Sequence, residues 1–547
     1  MNARALLLVS VVLSSLLSAS ISSGQVSFER ILGADKEPQN WLTYSGTTLS
    51  QRHSLLNQIT PANVKNLELQ WIYQARSLEK FEATPLVVDG IMYTVQAPND
   101  VIALDAATGR VFWTYSYRPK HGRPCCGRVN RGLAILDDIL FLGTLDARLI
   151  AIDAKSGHPL WATTLGNARA AYSITHAPLV IKDKVIVGVG GGEFGIRGFL
   201  AAYDARSGKE VWRFNTIPGP GEPGHETWGG DSWKTGGGPI WMTGSYDPVL
   251  NLTYWGVGNP SPDWNGDSRP GDNLYSDSVI ALDADTGKLK WYYQFSPHDE
   301  FDYDSVQVPV LADMEWQGKP RKVILWANRN GFFYVLDRAT GQFLLGKPFV
   351  AVTWASGFDE KGRPVLLPGK VPSAEGTLIS PGNPGGTSWY SPSYSPRTRL
   401  FYIPAWVNSS SMFVKLPVEY RGEGRSYVGG TTRSTIPFDW SPAPNFRKEE
   451  EGYGAVRALD PHTGEMKWEF KMADVTEAGI LTTASDLLFS GGREGYFFAL
   501  DARNGELLWK AAVGAAVQSG PMTYSVNGKQ YVAVNAGTCL FVFGLRQ

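Results

Sequence analysis

Ala103–Trp113 reads ALDAATGRVFW, and this stretch decides the fold because close copies of it recur along the chain. Ala151–Trp161 is AIDAKSGHPLW, Ala202–Trp212 is AYDARSGKEVW and Ala281–Trp291 is ALDADTGKLKW. Val335–Leu345 (VLDRATGQFLL), Ala458–Trp468 (ALDPHTGEMKW) and Ala499–Trp509 (ALDARNGELLW) complete seven copies. Each keeps an Asp, a Gly four positions on, and Trp or Leu four positions further. Alternating apolar residues before the Asp predict a strand. The Asp-x-x-x-Gly segment predicts a tight turn with positive φ at Gly, and the Trp then starts the returning strand.

One hairpin cannot bury both of its faces, so such repeats must stack on their neighbours. The repeat Asp residues are separated by 48, 51, 79, 54, 123 and 41 positions, the length of a propeller blade plus insertions. The longest gap, Asp337 to Asp460, has room for a blade without the signature, around the strand-like Leu400–Val407. The expected fold is therefore all-β, an eight-bladed β-propeller. Trp71, upstream of the first copy, is expected in the strand that closes the ring against the C-terminal blade. Pro218–Gly238 and Gly357–Gly386, rich in Gly and Pro, are expected to be loops on one face.

Composition agrees, with 60 Gly, 34 Pro and 19 Trp favouring short strands and tight turns over long helices. With 51 basic and 52 acidic residues, bulk charge points neither to nucleic acid nor to an anionic membrane surface. The first 24 residues place Arg4 before an apolar run from Leu6 to Leu17, followed by Ser22, Ser23 and Gly24. This predicts an export signal at 1–24, too short to span a membrane, and one mature domain at 25–547. The expected location is the periplasm. Three cysteines, Cys125, Cys126 and Cys539, exclude a disulfide-stapled scaffold.

Ser296–Ser305, SPHDEFDYDS, sets Asp299, Glu300, Asp302 and Asp304 within six positions. Acid runs are usually solvated. In an extended segment, however, Asp302 and Asp304 would project from one face and repel unless a cation or a shared proton neutralised them. Adjacent Cys125 and Cys126, in PCCGRVNRG, are either two thiols in a strand or a vicinal disulfide.

The hairpins resemble the tryptophan-docking repeats of eight-bladed quinoprotein dehydrogenases, which also occur in non-catalytic assembly propellers, so fold alone does not settle function. PCCGRVNRG resembles the methanol dehydrogenase segment whose vicinal disulfide covers pyrroloquinoline quinone (PQQ). The resemblance makes Trp241, in GGGPIWMTGSYDP, the platform under the quinone. It sets Glu82, Arg131, Thr175, Gly191, Gly192 and Arg329 at cofactor positions, where arginines suit a tricarboxylate. It makes Glu193, Asn259, Asp302 and Asp304 the metal ligands, an oxygen-only set that selects a hard cation. Calcium-type enzymes carry a small residue two after the catalytic Asp, and lanthanide-type enzymes a second Asp, as in Asp302-Tyr303-Asp304. The resemblance thus implies a lanthanide, with calcium the alternative.

The implied reaction oxidises a primary alcohol. The metal is a Lewis acid, Asp302 the general base, and Arg329 the group that stabilises the oxygen turning negative. No C-x-x-C-H occurs, so electrons are expected to leave to a separate periplasmic cytochrome c. The chain departs from the methanol enzymes in several places: Glu477 stands for a Trp, Thr387-Ser388 precede Trp389 where an Asn is usual, and Gly190 stands for a Ser. A larger alcohol, an aldehyde, or a sugar or polyol is therefore open as substrate, as is a homodimer as the assembly. The non-enzyme alternative is a propeller scaffold for partner proteins.

Overall fold

The computed structural model describes residues 26–119, 121–122, 124–436 and 449–546. The predicted export signal lies outside them. Among the described residues helix is confined to a five-residue segment, Phe28–Leu32, and short 3-10 turns. Among the described residues the strands form seven four-stranded sheets, one five-stranded, one three-stranded and one two-stranded sheet. The chain is all-β.

Each of the seven copies forms the predicted hairpin. Val101–Trp113, for example, pairs Ala103 with Trp113 across the turn, with a register shift beside it. All seven repeat glycines, Gly109, Gly157, Gly208, Gly287, Gly341, Gly464 and Gly505, have φ between 68 and 78°. The repeat Asp closes the turn locally: Asp153 Oδ1 accepts from Ser156 N and Oγ, each at 2.7 Å.

The repeat Trp links successive sheets. Trp113, Trp161, Trp212 and Trp291 donate Nε1–H to the carbonyls of Ala154, Ala205, Ala284 and Arg338, each 3.2 Å away and one residue past the next repeat Asp. The indole lies on the next repeat Gly: a Cβ on Gly157 would stand 2.6 Å from Trp113, and one on Gly287 2.5 Å from Trp212. Gly is thus required twice over, by its positive φ and by the indole on top of it. Gly287→Ala is expected to cost about 2 kcal/mol or more, from left-handed strain plus the clash, read as a lowered urea midpoint.

The eighth sheet departs from expectation. Leu400–Val407 does not build a blade of its own; it pairs with Tyr453–Leu459, within the sheet of the sixth repeat. The long gap instead holds the two-stranded Ala355–Phe358 and Pro364–Leu366 sheet and the three-stranded Thr377–Ile379, Ser411–Lys415 and Gly430–Ser434 sheet. The eighth sheet joins the chain ends: Leu67–Gln74 pairs antiparallel with Cys539–Leu545, beside Lys529–Ala536 and Met522–Val526. Its outer strand is not reached through a hairpin, so it needs no Asp-x-x-x-Gly turn. Trp71 nevertheless takes the repeat position, 2.6 Å from a Cβ placed on Gly109, and Trp509 donates to Leu67 O at 3.3 Å.

Antiparallel pairing fixes where chemistry can sit. The repeat turns all lie at one end of the sheets. The segments entering each first strand and leaving each second strand lie at the other end, and the long Gly- and Pro-rich insertions belong there. Of the two insertions expected to be loops, Pro218–Gly238 contains only short helical turns, whereas the second also carries two of the added strands.

Candidate functional site

A cavity of about 450 Å³ opens at this loop end. Its lining comes from segments entering a first strand (Glu82, Arg131, Thr175, Trp241, Asp302 and Asp304, Glu477) and from segments leaving a second strand (Glu193, Arg329). Cys125, Cys126 and Gly191 line it too. Residues separated by nearly 400 positions meet because every sheet contributes the same two corners.

A disulfide joins Cys125 to Cys126. Its sulfurs lie within 4.8 Å of a Glu193 carboxylate oxygen. Bonded to each other, they offer no thiolate to a metal.

Arg329 organises the acidic side. Its Nη1 donates to Asp304 Oδ2 at 2.9 Å, its Nη2 lies 3.3 Å from Asp302 Oδ2, and both Nε and Nη2 donate to Asn383 O. Asp304 Oδ1 also accepts from Trp241 Nε1 at 3.2 Å and Asn259 N at 3.0 Å. Asp302 Oδ2 accepts from Asn383 Nδ2 at 2.9 Å. Asn383 was not singled out from sequence, because it sits in a Gly- and Pro-rich insertion with no motif around it.

The segment carrying Asp302 and Asp304 is not extended, contrary to expectation. Asp302 has φ +58°, a conformation costly for a non-glycine residue, and no strand is formed there. The two carboxylates share Arg329 through this bend rather than through strand alternation. Asp299 and Glu300 are not solvated either, being 1 % and 6 % exposed. Asp299 Oδ2 accepts from Phe301 N and Tyr303 N, at 3.3 and 3.1 Å, pinning the bend from behind. Glu300 accepts from Gly266 N at 2.7 Å.

Negative charge is concentrated where water is scarce. Burial, then Asp302, pushes the Glu193 carboxyl up to about 8. Burial pushes Asp302 up to about 7, and Asp304 beside it is raised as well. Buried carboxylates in such a cluster need a cation or protons. Asn259 supplies an independent sign: its Oδ1 is fully buried and accepts no hydrogen bond. A Cβ on Gly192 would lie 2.8 Å from that oxygen, so the glycine run of Gly190–Gly192 keeps the position clear. The donor set is oxygen-only and fits a hard cation. Glu193, Asp302 and Asp304 are not gathered into one tight triple; among the described residues the His, Cys, Asp and Glu ligand atoms mutually within 4.8 Å are those of Cys125, Cys126 and Glu193.

The opposite side carries paired charges. Arg131 Nη2 lies 2.9 Å from Glu82 Oε2, and its Nη1 donates to Thr175 Oγ1 at 3.2 Å. Its guanidinium lies over the rings of Trp241 and Trp389, at 5.1 and 4.4 Å from their centroids. Glu477, where the methanol enzymes have a Trp, accepts from Arg493 Nη2 at 2.7 Å and Gln518 Nε2 at 2.9 Å. Lys80 faces Glu477 and Glu82, and burial lowers its pKa. Lys80, Trp389 and Asp263 are cavity residues that the motifs did not mark.

A cavity at one end of the sheets, lined by clustered carboxylates and by arginines paired to them, suits a cofactor-dependent enzyme better than a bare scaffold. The comparisons identify which. The family model described as PQQ: Glucose/ethanol/alcohol dehydrogenase, beta-propeller domain, matches residues 41–353 and 471–532. The chain belongs to the PQQ-dependent quinoprotein alcohol dehydrogenase family and is an oxidoreductase of that family.

Quinohemoprotein alcohol dehydrogenase ADH-IIG from Pseudomonas putida is 42% identical over 532 residues, covering 93% of this chain and 74% of that protein. Quinoprotein alcohol dehydrogenase PedH from Pseudomonas putida KT2440 is 38% identical, covering 98% of this chain and 92% of that protein. A europium-containing methanol dehydrogenase structure superposes with a TM-score of 0.87 at 34% identity, covering 94% of this chain and 100% of that one.

Proposed function

We propose that the protein binds PQQ and one trivalent lanthanide ion in this cavity and oxidises a primary alcohol to the aldehyde. The single observation that carries the metal reading is Asn259 Oδ1, a buried acceptor without a donor, near the buried Asp304 and the part-buried carboxylates of Glu193 and Asp302. These four would hold the ion. Glu82, Arg131, Thr175, Gly191, Gly192, Trp241 and Arg329 would hold the cofactor, with the Cys125–Cys126 disulfide over it. The relatives' printed names support the alcohol, and the europium-containing neighbour supports the ion, with calcium the alternative. A sugar or polyol is the alternative substrate.

When bound, PQQ supplies two-electron oxidation and the ion Lewis acidity. The chain does the rest. Asp302 accepts the hydroxyl proton at its carboxylate, and Asn383 Nδ2 and Arg329 Nη2, both on Oδ2, fix which oxygen faces the substrate. Arg329 Nη1, anchored on Asp304, holds its donors where negative charge develops on the reacting oxygen. The Trp241 Nε1 bond to Asp304 keeps the indole plane fixed against the acidic cluster.

The architecture that positions these groups is proposed as an eight-bladed propeller with tryptophan-docking repeats, filling residues 25–547 as one domain. Support comes from the eight sheets of four or more strands, the recurrent indole-to-carbonyl bonds and the closure of the chain ends. Residues 1–24 would direct export to the periplasm, where a cytochrome c would accept the electrons. No helix among the described residues is long and apolar enough to cross a membrane.

The test is reconstitution with PQQ and either lanthanum or calcium, followed by alcohol-dependent dye reduction over an alcohol and sugar panel. Turnover of primary alcohols with lanthanum is the expected result. Turnover with neither ion would overturn the reading.

A further inference from the structure

We infer that Asp263 is a positioning and selectivity residue of the ion site: it fixes the amide of Asn259 and adds the negative charge that favours a trivalent over a divalent ion. The inference rests on the metal reading proposed above. Asp263 lines the cavity and is 1 % exposed. Asn259 Nδ2 donates to its Oδ1 at 3.0 Å and to Pro260 O at 3.3 Å. With both acceptors on the nitrogen side, the amide can turn only one way, and Oδ1 becomes the buried oxygen left without a donor. The backbone of Asn259 is held on the other side by Asp304, so both ends of the residue are tied to carboxylates.

Charge gives the second argument. Asp263 lines the same cavity as Glu193, Asp302 and Asp304, so all four carboxylates share one neighbourhood. Arg329 is the cation bonded to this group, through Asp302 and Asp304. Arg269 lies behind Asp263 but bonds the carbonyls of Pro262 and Asp299 and Asn273 Oδ1 instead. The cavity wall thus carries more carboxylates than bonded cations, an imbalance that a bound cation would offset. On the cofactor side Glu82 and Glu477 are answered by Arg131 and Arg493, so the imbalance is local. Coulomb attraction grows with ion charge, so removing one carboxylate penalises a lanthanide more than calcium.

Asp263→Asn removes the charge while keeping an acceptor for Asn259, and Asp263→Ala removes both. Affinity is read by terbium luminescence sensitised by the protein's tryptophans and by calcium titration, on PQQ-loaded full-length enzyme, with circular dichroism and thermal midpoints confirming the fold. Asp263→Asn is expected to weaken terbium binding about 10-fold or more, the scale of an outer-sphere ligand partner, and calcium binding less than about 3-fold. Asp263→Ala is expected to weaken both ions; should it fail to fold, Asp263→Asn alone decides. Unchanged terbium affinity in Asp263→Asn, or equal losses for both ions and PQQ, would overturn the inference while leaving the ion site standing. A wild-type protein that binds neither ion would overturn the metal reading itself.

Discussion

Asp302→Asn is expected to lower alcohol-dependent turnover by about 10² to 10⁴-fold, the range for loss of a positioned general base. The amide keeps the shape of the carboxylate and can still accept from Asn383, so cofactor binding should persist, and the deficit should fall on kcat rather than on PQQ affinity. The bend at Asp302, with φ +58°, tolerates Asn better than most residues, so the fold is expected to survive. Stopped-flow mixing of loaded enzyme with alcohol measures the chemical step directly. Turnover within a few-fold of wild type would show that another group takes the proton.

The second large effect concerns the ion. Asp304→Ala is expected to cut lanthanide affinity by more than about 100-fold, beyond the roughly 10–100-fold cost of losing an outer-sphere partner, because it deletes a direct ligand. Calcium should lose less, since attraction scales with ion charge. The substitution also leaves Trp241 Nε1, Asn259 N and Arg329 Nη1 without their shared acceptor, so activity should fall with either ion. The signature is a changed ratio of lanthanum-supported to calcium-supported turnover after equal loading. An unchanged ratio would return the site to the calcium branch.

How far the sequence could be read depended on how local each determinant is. The seven hairpins were legible because Asp, Gly and Trp sit within nine residues and enforce one turn together. The order of the strands was less so. The eighth sheet is assembled from Leu67–Gln74 and the C-terminal strands, and only three-dimensional closure brings those together; Leu400–Val407 looked like a separate blade because its partner, Tyr453–Leu459, lies beyond a long insertion.

The site shows the same division. Glu193, Trp241, Asp302, Asp304 and Arg329 stood in recognisable motifs. Asp302 nevertheless reaches Arg329 through a left-handed bend that no alternation rule predicts, and Asp299 and Glu300 are buried by the strength of backbone donors rather than by hydropathy. Asn383 has no flanking pattern, and Asp263, four residues past Asn259, carries no signal in the sequence that its carboxylate turns inward.

Crystals grown with PQQ and a lanthanide, measured across that element's absorption edge, test the central claim most directly. The account predicts one anomalous peak in the cavity, about 2.3–2.6 Å from oxygens of Glu193, Asn259, Asp302 and Asp304 together. A peak elsewhere, or these four side chains turned towards separate partners around a loaded cofactor, would contradict it.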